Sequence, residues 1–301
     1  QLLTNSFNLL IMGAFILGIG QSASLQTRYA SSFIVKEEFR ATALSLAVWF
    51  SVFGSVFGPR LVGQYSDTFN DIFGSELIVA YLIATIGFLL AGICVIGLTD
   101  KSSLLRLPVI SEHTSTKTKL DVKAKQLTML LVVNHFVMVI IMAATPLHVQ
   151  DIGETIKVVG TIISYHTLGM FVFSPILGRF VDKVGSKKVS ICGGFILLIS
   201  CIFALNSEDI ILLHLSLFLL GLGWNFNYVS ISSEISKYSI EKNTNLNIKS
   251  DSFVFVGSVF AQSSLGLTYT VIGFQGLVIF GTLSAIFLVF NLIRLSSKLL
   301  T

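Results

Sequence analysis

The chain has 301 residues, 53% apolar and only 12% charged, with a mean hydropathy of +0.83 and a net charge of +4. A soluble domain carries about 25% charged residues, so this chain cannot cover a water-facing surface, and its hydrophobicity excludes disorder. Lipid is the expected solvent, and nucleic acid is not an expected partner.

An apolar run of about 20 residues spans a bilayer, and nine such runs follow in chain order: 6–29, 40–62, 76–98, 126–148, 156–178, 188–206, 210–233, 252–271 and 274–294. They predict an all-α polytopic membrane protein. The connections alternate in charge. Those at 28–40, 99–125, 179–188 and 234–250, with the C-terminal tail, hold 18 of the 20 basic residues. The opposite side keeps only Arg60 and Lys157, against seven acidic residues. The positive-inside rule therefore places the basic side and the C-terminus in the cytoplasm, with a bacterial cytoplasmic (inner) membrane as the expected location. The long polar linker 99–125 divides three spans, in 1–98, from six, in 126–301. Six spans after a basic linker match half of a transporter built from two six-helix bundles. On that pattern three helices precede Gln1, and the chain is expected to be an N-terminally shortened fragment showing nine of twelve helices.

In the second span, Gly54-Ser55-Val56-Phe57-Gly58-Pro59 places small residues four apart, which lets helices approach, before a proline that kinks the backbone. After the fifth span, Gly178, Asp182, Lys183, Gly185, Lys187 and Lys188 form a tight, cationic cytoplasmic turn. Asp182 there can pair with cations and cap the next helix, a latch sensitive to charge. Trp224 and Asn225 lie mid-span and are possible substrate contacts. Cys94, Cys192 and Cys201 are spaced as apolar filler rather than as a disulfide framework.

Ionisable groups in mid-membrane are functional candidates, and by these boundaries only His135 and His166 qualify. No span contains Asp or Glu away from its ends. His135, Met138 and Met142 share one helical face by i, i+3, i+7 spacing, while His166 and Met170 are i, i+4 on the next span. Counted at ~1.5 Å per residue, His135 and Met170 lie ~12–14 Å from the cytoplasmic ends, and Met138 and His166 ~18 Å. Thioether with imidazole and no carboxylate suits Cu(I). Gap filling by Met and inter-helix bonding by His are the ordinary alternatives.

The G-x-x-x-D-x-x-G-x-K-K spacing at 178–188 resembles the loop signature of the major facilitator superfamily, where it recurs between helices 2–3 and 8–9. Gly54, Gly58 and Pro59 resemble its helix 5 antiporter motif. The helix 4 arginine of proton-coupled exporters has no counterpart, since Ala14 stands four residues before Gly18. Met138-x-x-x-Met142 with His166-x-x-x-Met170 is similar to the paired signature of the CcoA-like branch, which includes copper importers. Relatives in that branch are implicated in riboflavin uptake. The resemblance implies a monomeric secondary transporter, not an enzyme, that imports copper as cargo by alternating access, with no resident cofactor. Met138, Met142, His166, Met170 and His135 would be its ligands. Uptake of riboflavin or another small organic solute, proton-coupled efflux, and a non-transporting membrane sensor are the alternatives.

Overall fold

In a computed structural model, the described residues are 7–54, 57, 61, 65, 68–69, 71–72, 77–99, 121–154 and 156–297. Among them every regular element is helical. The helices are α1 (Phe7–Phe33), α2 (Arg40–Trp49), α3 (Leu77–Thr99), α4 (Val122–Asp151), α5 (Ile156–Phe171), α6 (Ser174–Val184), α7 (Ser186–Ala204), α8 (Ile210–Glu241) and α9 (Leu246–Ser297). A single 3-10 turn, Glu37–Phe39, leads into α2. Among the described residues, five stretches are long and apolar enough to cross a membrane: Val122–Asp151, Val158–Val184, Ser186–Ala204, Ile210–Glu241 and Leu246–Leu295.

Local chemistry sets the ends. Asp121 caps α4, its Oδ1 accepting the Ala124 N–H at 2.8 Å, and that bond holds its carboxyl below the usual carboxylate range. Asp209 caps α8 by accepting the N–H groups of Ile211 and Leu212 at 2.8 and 3.2 Å. The predicted fifth span divides at Val172 and Phe173 into α5 and α6, with Pro175 in the first turn of α6, where a missing N–H costs nothing. The last two predicted spans meet at Gly273, whose φ of 65° and ψ of −177° fall outside helical geometry within α9.

Packing centres on α8. α5 and α7 lie against it, and α9 lies along α4. The approach of α5 to α8 is close enough that a Cβ on Gly221 would sit 2.9 Å from the Met170 amide nitrogen. Outward positions carry bulky apolar side chains such as Phe280, Phe287 and Phe290, as a lipid-facing surface requires. At the other end of the chain, α2 crosses α6, and α1 reaches α8 and α9. These crossings enclose the site.

Candidate functional site

A cavity of about 320 Å³ lies where α1, α2, α4, α5, α8 and α9 meet. Its lining includes Arg28, His135, Met170, Trp224, Tyr228 and Asp251.

One wall is an ion pair. Arg28 of α1 and Asp251 of α9 are both buried, at 3% and 4% exposure. Arg28 Nη2 lies 2.5 Å from Asp251 Oδ1 and 3.1 Å from the Tyr29 hydroxyl. The Gln26 amide donates to Asp251 Oδ2 at 2.8 Å, so both carboxylate oxygens are engaged. The guanidinium lies over the rings of Tyr29 and Tyr228, 4.4 Å from each centroid. Desolvated contacts of this kind contribute about 2 kcal/mol. Breaking a buried pair by removing one partner costs about 3–5 kcal/mol.

Span counting missed this pair. It grouped Arg28 with the basic loop 28–40 and began the eighth span at residue 252. However, α1 continues to Phe33 and α9 begins at Leu246, so both charges sit inside helices. The signal was the absence of any Gly or Pro from 21 to 33 and from 246 to 256.

The second wall is aromatic. Trp224 stacks on Tyr228 with centroids 4.3 Å apart and planes 20° from parallel. Tyr29, the Arg28 guanidinium, Tyr228 and Trp224 thus form one series of planar groups. Trp224 Nε1 donates to His135 Nδ1 at 3.2 Å. An indole N–H can only donate, so His135 Nδ1 accepts. Asn134 fixes this corner by donating to the Trp224 carbonyl at 3.2 Å, and its own Oδ1 accepts from Asn227 at 3.0 Å.

Of the five candidate soft ligands, the structure brings His135 and Met170 to the cavity lining. Met138 is buried in the apolar core, and Met142 packs against that core half-buried. His166 is fully buried and points its Nδ1 at the Leu217 carbonyl of α8, 2.8 Å away. The reason is packing: α5 leans on α8 rather than on α4, so positions at one depth on the two helices do not face each other. Among the described residues no three His, Cys, Asp or Glu side chains gather as a metal site. Asn225 is buried outside the lining, where its Oδ1 accepts from Ser174 at 3.1 Å.

The loop motif reaches across to α2. Asp182 accepts the N–H groups of Ala41 and Thr42 at 3.0 and 2.9 Å and also the Thr42 hydroxyl. It caps α2, not the helix after its own loop, and favours the positive end of the α2 dipole. Gly178 makes that reach possible, because a Cβ there would lie 2.7 Å from the Ala41 carbonyl and the Thr42 Cα. Gly185 ends α6 with φ 95°. Lys183 and Lys188 are exposed and Lys187 is half-buried. Gly54 is exposed with open space at its Cα, while Gly58, Pro59 and linker residues 100–120 lie outside the described residues. Two further bonds join the same end: Ser32 Oγ to Ser236 Oγ at 2.7 Å, and Lys237 to Glu37 at 3.5 Å. All of these lie where α1, α6 and α8 finish and α2 and α9 begin.

Comparison with known proteins supplies the lineage. The family model described as Major Facilitator Superfamily matches residues 1–241 and 127–299. The uncharacterized MFS-type transporter YdeG of Bacillus subtilis is 32% identical over 243 residues, 75% of this chain and 56% of that protein. A second B. subtilis protein, the uncharacterized MFS-type transporter YddS, is 29% identical over 242 residues, 76% of this chain and 56% of its own length. The riboflavin transporter RfnT of Brucella anthropi is 23% identical over 263 residues, 86% of this chain and 65% of that protein. The chain thus spans little more than half the length of YdeG and YddS.

Proposed function

The chain belongs to the Major Facilitator Superfamily and is an integral membrane protein, and from that premise we propose that it is part of a secondary transporter whose cargo is a small planar organic solute. The observation that carries this reading is the series of planar groups Tyr29, Arg28, Tyr228 and Trp224, of which the last three line the cavity and Tyr29 backs them. A flat heteroaromatic ring can extend such a series at Trp224, while His135 and the Arg28–Asp251 pair offer polar groups at its edge. Transport proceeds by alternating access. The contacts of α1 and α2 with α6, α8 and α9 hold the basic, cytoplasmic end closed, and Asp182 releases α2 when that end opens.

Copper is the second reading, because His135 and Met170 line the same cavity and imidazole with thioether suits Cu(I). The name of RfnT adds riboflavin as the first solute to try. Reconstituted into liposomes, the full-length protein should take up riboflavin saturably, above the rate of protein-free liposomes. Copper flux without riboflavin flux would favour the second reading. Flux of neither would favour a sensor built on the same fold.

A further inference from the structure

We propose that the cavity prefers planar solutes that carry a carboxylate, which replaces Asp251 at Arg28 while Asp251 takes up a proton, so that solute and proton move together. This rests on the reading of the cavity as a solute site.

The argument is one of charge balance. Arg28 and Asp251 are both buried, both line the cavity, and neutralise each other. Their bond also ties α1 to α9 at the closed end, so opening that end must part them. A neutral solute brings no charge to replace either partner, so the pair must part uncompensated and the solute crosses slowly. An anion that displaces Asp251 satisfies the guanidinium but leaves a buried carboxylate without its counter-charge. A proton on Asp251 alone strands the cation instead. Either half-step leaves one uncompensated buried charge, which is strongly unfavourable. Taken together, the two steps leave a neutral carboxylic acid and a guanidinium–carboxylate pair, with no net charge added to the site.

The surroundings favour Asp251 as the proton acceptor. From α1 it faces Arg28, Tyr29 and Gln26, from α8 Tyr228, and across the cavity from α4 His135. Gln26 Nε2 can stay bonded to Oδ2 when Oδ1 is protonated. His135 is a poorer acceptor at Nδ1, because that atom already accepts the Trp224 N–H. The guanidinium is covered on its faces by Tyr29 and Tyr228, which leaves its edge for carboxylates. After release of the solute, the proton leaves Asp251 and the carboxylate returns to Arg28. No covalent bond forms or breaks in the cycle beyond that O–H.

Two flavins differing by one carboxylate test this, lumiflavin and its N10-carboxymethyl analogue. Each is added as a competitor of riboflavin uptake by the full-length protein in liposomes loaded with a pH-sensitive dye. The carboxymethyl compound should inhibit more strongly, on the order of tenfold, as a charge-assisted bond implies. Its own uptake should acidify the interior, with one proton entering per carboxylate. In the double variant R28Q/D251N, where the site again carries no net charge, the two compounds should bind equally. Equal inhibition by both in the unaltered protein, or uptake without acidification, overturns the inference and leaves the solute reading standing. Absence of uptake for every flavin overturns that reading and the inference with it.

Discussion

Arg28 is where hydropathy and structure part. A cation five residues from the end of a helix looks, in a sequence, like the start of a loop. Here the helix continues past it, and its charge is met by Asp251 from a helix more than 200 positions away. No local pattern announces such a partner. Removing one member should therefore cost more than removing both. R28Q or D251N alone should lower stability by about 3–5 kcal/mol, and the double variant by less than either. Thermal unfolding in detergent measures this, and strict additivity would deny that the pair is coupled. The soft ligands were legible as residue types but not as a set. Helical spacing gives the face of one helix and not the neighbour it meets, and α8 receives the helix that carries His166 and Met170. If copper is carried, Met170→Leu should reduce its uptake while Met138→Leu, in the apolar core, should leave it near normal. Equal loss in both would put the metal path along α4 instead.

At the level of elements, bilayer thickness fixes the length of an apolar run, which makes some spans legible in the sequence. The predicted 188–206 and 210–233 correspond to α7 and to most of α8. What the runs could not give is the break before Pro175, or how far a helix continues into polar sequence, whereas the break at Gly273 falls between the predicted 252–271 and 274–294. The loop motif shows the same limit. Its residues were evident, but the helix it caps, α2, lies about 140 positions earlier in the chain. Asp182→Asn keeps the shape and removes the charge that faces the start of α2. It should loosen the α2–α6 crossing, so a cysteine at Ser45, fully buried there, should react faster with a thiol reagent than in the unaltered background. An unchanged rate would mean that the carboxylate does not hold the crossing. Gly178→Ala should part the same crossing more strongly, because its Cβ meets backbone atoms that cannot move aside singly.

Seen whole, the molecule has one end dense in basic residues, and contacts of α1 and α2 with α6, α8 and α9 gather there. On the proposed orientation that end faces the cytoplasm, as the positive-inside rule expects. In a cysteine-free background, a cysteine at exposed Glu208 should react with an impermeant reagent in intact cells, and one at exposed Lys242 should not. The reverse result would invert the orientation and the direction of every step proposed. On the proposed function the site is shut from one side, and the solute occupies this cavity beside Trp224. Riboflavin fluorescence is quenched when the flavin stacks on an aromatic ring, so titration against the full-length protein in detergent reads that contact directly. Saturable quenching is expected, lost in Trp224→Leu and kept in Trp49→Leu, since Trp49 is not among the cavity's lining residues. Undiminished quenching in Trp224→Leu would contradict it.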